Sequence, residues 1–150
     1  MVDMCVQIGG IRLKNPVMPG SGTMAEGLTR VMDLNRIGAI VTKTVTPDRR
    51  EGCVPPRMVE YKDGALMAIG IPSKGPDHYL AEILPHYRAF DTPVVCSVSA
   101  PTGAAFGTLP PLVRGMDAIV LNAWAERTTV TTTPDEGDMR TVDVDVFVDL

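Results

Sequence analysis

Four places in this chain set chemically useful side chains at the end of a short apolar run: Ser21-Gly22, Lys43-Thr44, Ser97 and Asn122. Hydroxyls, an ammonium and an amide at successive strand ends supply hydrogen bonds and one fixed positive charge, a set suited to a flat or anionic ligand. Gly22 beside Ser21 lets such a ligand approach backbone amides closely. The segment Gly20-Ser-Gly22-Thr-Met-Ala25 also matches G-x-G-x-x-A, the turn of a dinucleotide-binding unit. Such a unit ends its second strand in an acid that holds ribose hydroxyls; here that strand ends in Lys43, which has the wrong sign. His78 and His86 adjoin no acid or cysteine motif, and Cys5, Cys53 and Cys96 are too far apart for a zinc or redox pair. No metal site is expected, and the cysteine usage points to a reduced, cytoplasmic setting.

The elements that must position these residues are readable from periodicity. Val6 to Lys14 reads as a hairpin around Gly9-Gly10, and Pro16 to Gly20 as a short strand. A helix capped by Thr29, with Val31, Met32, Leu34 and Ile37 on one stripe, is expected to end at Gly38. Ala39 to Thr46 is β-branched and reads as a buried strand, followed by a long loop from Pro47 to Arg57. A second hairpin is expected around Asp63-Gly64, and a helix opening at Pro76 carries Tyr79, Leu80, Ile83, Leu84 and Tyr87 at helical spacing. Thr92 to Ser99 and Asp117 to Asn122 are further strands, while Gly103 to Gly115 is a poor helix because Pro110-Pro111 interrupts it. Alternating strands and helices build a parallel sheet, either an open doubly wound sheet or the first half of a (β/α)₈ barrel. The barrel explains more, because its functional groups gather at the C-terminal ends of the strands.

At 150 residues and 45% apolar content the chain can bury a core, with no apolar run long enough for a membrane span. The net charge of −4 argues against nucleic acid or an anionic membrane as partner. That charge is uneven: residues 129–150 carry six acids against Arg140 alone. Residues 1–126 therefore read as one domain and 127–150 as an acidic, β-rich tail, in which Thr141 to Leu150 alternates and suggests half of a hairpin.

Seven stretches, taken together, resemble class 1 dihydroorotate dehydrogenase, an FMN-dependent TIM barrel of pyrimidine biosynthesis. They are Gly10-Ile-Arg-Leu-Lys-Asn-Pro-Val17, Gly20-Ser-Gly-Thr23, Ile37-Gly-Ala-Ile-Val-Thr-Lys-Thr-Val-Thr46, Arg50-Glu-Gly-Cys-Val-Pro-Pro-Arg57, Gly70, Asp91-Thr-Pro-Val-Val95 and Asp117-Ala-Ile-Val-Leu-Asn122. The resemblance implies a flavoprotein oxidoreductase in which the substrate gives a hydride to the flavin while a base removes the neighbouring proton. It implies FMN contacts from Ser21, Gly22, Lys43, Thr44 and Asn122. Substrate contacts would come from Lys43, Asn122 and the loop Met67, Ala68, Ile69, Gly70 and Ile71.

The chain also departs from the family pattern. The substrate loop of the family reads Asn-x-Ile-Gly-Leu-x-Asn, where this chain has Met67-Ala-Ile-Gly-Ile-Pro-Ser73. Ser97 stands where an asparagine touches the flavin, Cys53 replaces an asparagine, and the base cysteine position is Ala125, so no catalytic residue is assigned. A complete barrel takes roughly 250 residues, so the resemblance covers an N-terminal half-barrel. Such a chain is expected to be inactive alone, or to assemble with itself or a partner that completes the barrel.

Overall fold

The computed structural model describes residues 2–23 and 26–122, and the expected tail hairpin over 127–150 and the Ala125 position lie outside them. Strands β1 (Val6–Ile8) and β2 (Ile11–Leu13) form the first hairpin, with Ile8 opposite Ile11 and Gly9-Gly10 at the turn. The central sheet is parallel and three-stranded, ordered β3 (Ile40–Val41), β6 (Val94–Val98), β7 (Ala118–Leu121). Between β3 and β6 the chain makes the exposed antiparallel hairpin β4 (Met58–Tyr61) and β5 (Gly64–Met67). Pairing of Tyr61 with Gly64 puts its turn at Lys62-Asp63, one residue before the expected position.

Period-two alternation divides β6 between two faces. Val94, Cys96 and Val98 pack toward helices, in clusters with Tyr79, Tyr87, Leu34 and Leu109. Val95 points the other way, with Leu13, Ala39 and Val41 under the first hairpin. All five β6 residues are buried, as befits the middle strand of a parallel sheet. Arg88 and Asp117 lock the opposite end of the sheet: the carboxylate takes Arg88 Nη1 at 2.9 Å and the Val94 amide at 2.7 Å.

Three further local expectations are corrected. Pro16 to Gly20 forms no strand: Pro16 and Pro19 have no amide hydrogen to donate, and its backbone link to the neighbouring run is one bond, from the Gly38 amide to the Val17 carbonyl at 2.8 Å. The helix expected from Thr29 is two short 3₁₀ turns, Glu26–Arg30 and Leu34–Arg36. Asp33, not Thr29, caps the second turn by accepting the Asn35 amide. Leu34 and Ile37 are buried, but Val31 is 80% exposed.

The helix expected to open at Pro76 forms, running as α1 (Pro76–His78), a π turn (Tyr79–Ile83) and α2 (Leu84–Tyr87). Pro85 has no amide hydrogen for the Ala81 carbonyl, and a wider turn before it relieves the clash with that carbonyl. Lastly, α3 (Gly103–Leu112) is a regular ten-residue helix that runs through Pro110-Pro111. Thr102 caps it by accepting the Ala105 amide, and burial of Leu109 and Val113 against the sheet outweighs the two lost donors near its end.

Candidate functional site

The site lies where the strands end and is built around an irregularity in the β3 segment. The amides of Ile40, Thr42 and Val45 donate to the carbonyls of Pro93, Val95 and Ser97. Between the last two bonds, three steps of this segment match two steps of β6, so the β3 side carries one extra residue. An extra residue breaks the alternation. Val45 returns to the helix-facing cluster, while both Lys43 and Thr44 contact the turn at Ser21 and Gly22.

Thr44 is the hub. Its Oγ1 lies 2.8 Å from Ser21 Oγ and 2.9 Å from Ser97 Oγ, and it accepts Asn122 Nδ2 at 3.4 Å. Ser21 Oγ also donates to the Thr42 carbonyl at 3.2 Å. Thr44 and Ser97 are buried, Asn122 is half-buried, and Ser21, Gly22 and Lys43 are exposed. Four separate segments thus contribute one polar side chain each, Ser21, Thr44, Ser97 and Asn122, and the four form one connected set.

Lys43 lies along Gly22, whose φ of +75° favours glycine. Among the described residues the ion pairs are Arg49–Glu51, His78–Glu82 and Arg88–Asp117, so no described carboxylate neutralises Lys43. An exposed cation over a glycine turn, beside hydroxyls and an amide, is a fit for an anionic or electron-rich planar group. Among the described residues no three His, Cys, Asp or Glu side chains converge to hold a metal ion.

The expected substrate loop, Met67–Ile71, makes no hydrogen bond to this set or to Lys43 among the described residues. Met67 is 69% exposed at the end of β5. Instead the loop is stitched to the segment after β3. The Cys53 amide donates to the Ile69 carbonyl at 3.0 Å and the Ala68 amide to the Arg57 carbonyl at 2.9 Å. Gly70 is required here, since a Cβ would come within 2.6 Å of the Cys53 nitrogen. Ile71 follows at φ +45°, a strained setting for a β-branched residue.

Two residues that carried no role in the sequence reading hold this loop pair together. Arg57 donates through Nε to the Cys53 carbonyl and through Nη2 to the Glu51 carbonyl at 2.7 Å. Ser73 Oγ accepts the amides of Thr46 at 3.1 Å and Gly75 at 3.2 Å, tying the loop to the strand that carries Lys43. The position of Arg57 after Pro55-Pro56 was the available signal; Ser73 offered none beyond its place at the end of the loop.

Buried titratable groups lie behind the sheet. Burial raises the Tyr79 and Cys96 ionisations, and pushes Tyr87 up to about 12. A cavity of about 950 Å³ lies between Met4, Lys14, Asn15, Val31 and Arg36, residues that precede the strand ends, and none of the four polar groups lines it.

Comparison with known proteins gives a consistent result. A family model described as dihydroorotate dehydrogenase matches residues 3–123. Similar curated proteins carry the name dihydroorotate dehydrogenase B (NAD(+)), catalytic subunit. One from Listeria welshimeri is 43% identical over 104 residues, covering 68% of this chain and 34% of its own length. One from Geotalea daltonii is 41% identical over 109 residues, 71% of this chain and 36% of the relative. One from a Thermoanaerobacter species is 35% identical over 125 residues, 81% of this chain and 41% of the relative. The chain thus spans between a third and two fifths of the length of these relatives.

Proposed function

The chain belongs to the dihydroorotate dehydrogenase family, and on that footing we propose that its strand ends form one wall of an FMN site in a flavin oxidoreductase of half-barrel or barrel architecture. The observation that carries the reading is the joining of Ser21, Ser97 and Asn122 at the Thr44 hydroxyl, beside Gly22 and a Lys43 ammonium that no carboxylate among the described residues pairs with. FMN, when bound, supplies a hydride acceptor. Gly22 admits the flat ring against the backbone, and Lys43 places positive charge where negative charge collects on a ring or a carboxylate. Asn122 adds directional hydrogen bonding, and Ser21 and Thr44 hold the floor of the site.

The substrate proposed for the whole protein is dihydroorotate, oxidised to orotate in a cytoplasmic setting. The 150-residue chain alone is proposed to turn it over poorly. Ala125 occupies the position of the family base and cannot accept a proton, and Met67 offers no donor or acceptor to a polar pyrimidine edge. Assembly with a second copy or a partner chain is the proposed route to a complete site; the relatives above are themselves named as catalytic subunits. The apolar, exposed Met67 favours a second reading, a flavin oxidoreductase of the same fold acting on a less polar substrate.

The test is a flavin fluorescence titration of the purified chain, followed by an assay for orotate formation. Saturable quenching with negligible turnover is expected. Absence of quenching overturns the flavin reading, and ready turnover overturns the reading of Ala125.

A further inference from the structure

The hydroxyl cluster has a direction that follows from counting protons. The Thr42 carbonyl can only accept, so the single Ser21 proton goes to it at 3.2 Å. Ser21 Oγ is then the acceptor toward Thr44 at 2.8 Å, which commits the single Thr44 proton to Ser21. With its proton committed, Thr44 Oγ1 accepts from Ser97 at 2.9 Å and from Asn122 at 3.4 Å. Every Thr44 hydrogen-bonding position is thereby filled by protein, and the residue is only 4% exposed.

We propose that Thr44 is a positioning residue of this site rather than a ligand contact, and that its one-way chain fixes the Asn122 amide with its NH₂ inward and its carbonyl oxygen toward the ligand. An acceptor at that point selects a ring N–H or hydroxyl donor on whatever binds there, and disfavours a second carbonyl. The extra residue between Thr42 and Val45 is what allows this, because it turns Thr44 onto the same side as Lys43. The inference rests on the reading of Lys43 and Asn122 as ligand-facing.

The experiment compares the full chain with Thr44→Val and Thr44→Ser by two readouts. The first is the NMR signal and solvent exchange of the Asn122 side-chain amide without ligand. The second is FMN affinity by fluorescence quenching. Thr44→Val should move the Asn122 amide toward a solvent-exposed signal and weaken FMN binding roughly five- to tenfold, the loss typical of hydrogen bonds of this kind. Thr44→Ser should restore both to within about twofold of the parent, since it keeps the hydroxyl. An unchanged Asn122 signal in Thr44→Val, or equal damage in Thr44→Ser, overturns the proposal. If the parent chain itself binds no FMN, the flavin reading falls while the Asn122 signal still decides the role of Thr44. Should Thr44→Val fail to fold, Thr44→Cys carries the same expectation, its thiol being a much weaker partner.

Discussion

The Lys43 side chain rests on Gly22: a Cβ added to that glycine would come within 3.0 Å of both Cδ and Nζ of the lysine. This contact joins the turn after the first apolar run to the end of the second, and holds the ammonium over the turn with no acidic partner among the described residues. A family-level description of the site would give the two residues separate roles. The structure makes them one unit, since the glycine leaves the volume that the lysine occupies.

Gly22→Ala is expected to disturb the site twice over. The φ of +75° costs an alanine about 1–2 kcal/mol, and the new methyl group displaces the lysine. Thermal denaturation should show the modest loss of stability, and FMN quenching should weaken well beyond it. Gly9→Ala, at φ +55° with open space around it, should show the backbone cost with no effect on binding.

Lys43→Gln separates charge from stability. The side chain is exposed and unpaired among the described residues, so unfolding free energy should change by no more than about 0.5 kcal/mol. FMN affinity should fall roughly tenfold or more, as expected when a charged partner is lost. Salt should weaken FMN binding to the parent chain more than to the variant. Equal salt dependence would show that Lys43 does not face the anionic group.

Arg57→Ala should loosen the loop pair without unfolding the sheet. It removes donors to the Cys53 and Glu51 carbonyls, at a cost of about 1–3 kcal/mol. Hydrogen exchange should accelerate at the Cys53 and Ala68 amides, which span the two loops, while β6 amides stay protected. Uniform acceleration would indicate a global role instead.

Alkaline pH should destabilise the fold. Burial raises Tyr87 from 10.0 to about 12, and raises Tyr79 and Cys96 as well. These groups stay protonated in the folded chain while the unfolded chain releases their protons. Their contribution is therefore fully present below the unfolded values and is lost progressively as pH rises from there through the raised folded values. Denaturant midpoints should fall above pH about 10, with Tyr79 and Tyr87 tyrosinate absorbance appearing together with unfolding. A flat midpoint across that range would refute the assignment.

Much of this molecule was legible in one dimension because the signals were local. Gly9-Gly10 announced the first hairpin, β-branched runs announced β3 and β6, and polar residues after the apolar runs marked the side chains that meet at Thr44. The readings that failed depended on distant partners. Val31 and Met32 have the spacing of a buried helical stripe, yet only Leu34 and Ile37 meet the core, because two 3₁₀ turns replace the helix. Pro110-Pro111 read as a helix breaker, yet Leu109 and Val113 are buried firmly enough against the sheet to hold α3 through them.

The sequence by itself determined the order of elements, the family, and the identities of Ser21, Lys43, Thr44 and Asn122. Side-chain type and spacing along the chain suffice for those. Only the tertiary structure decided that Lys43 and Thr44 face the same way, although adjacent strand residues normally alternate. That outcome lies in hydrogen bonds to another strand, where Thr42 pairs with Val95 and Val45 with Ser97, leaving one residue over. Register across a sheet is set by partners far away in sequence, and here it brings the Thr44 hydroxyl within hydrogen-bond distance of Ser21, Ser97 and Asn122.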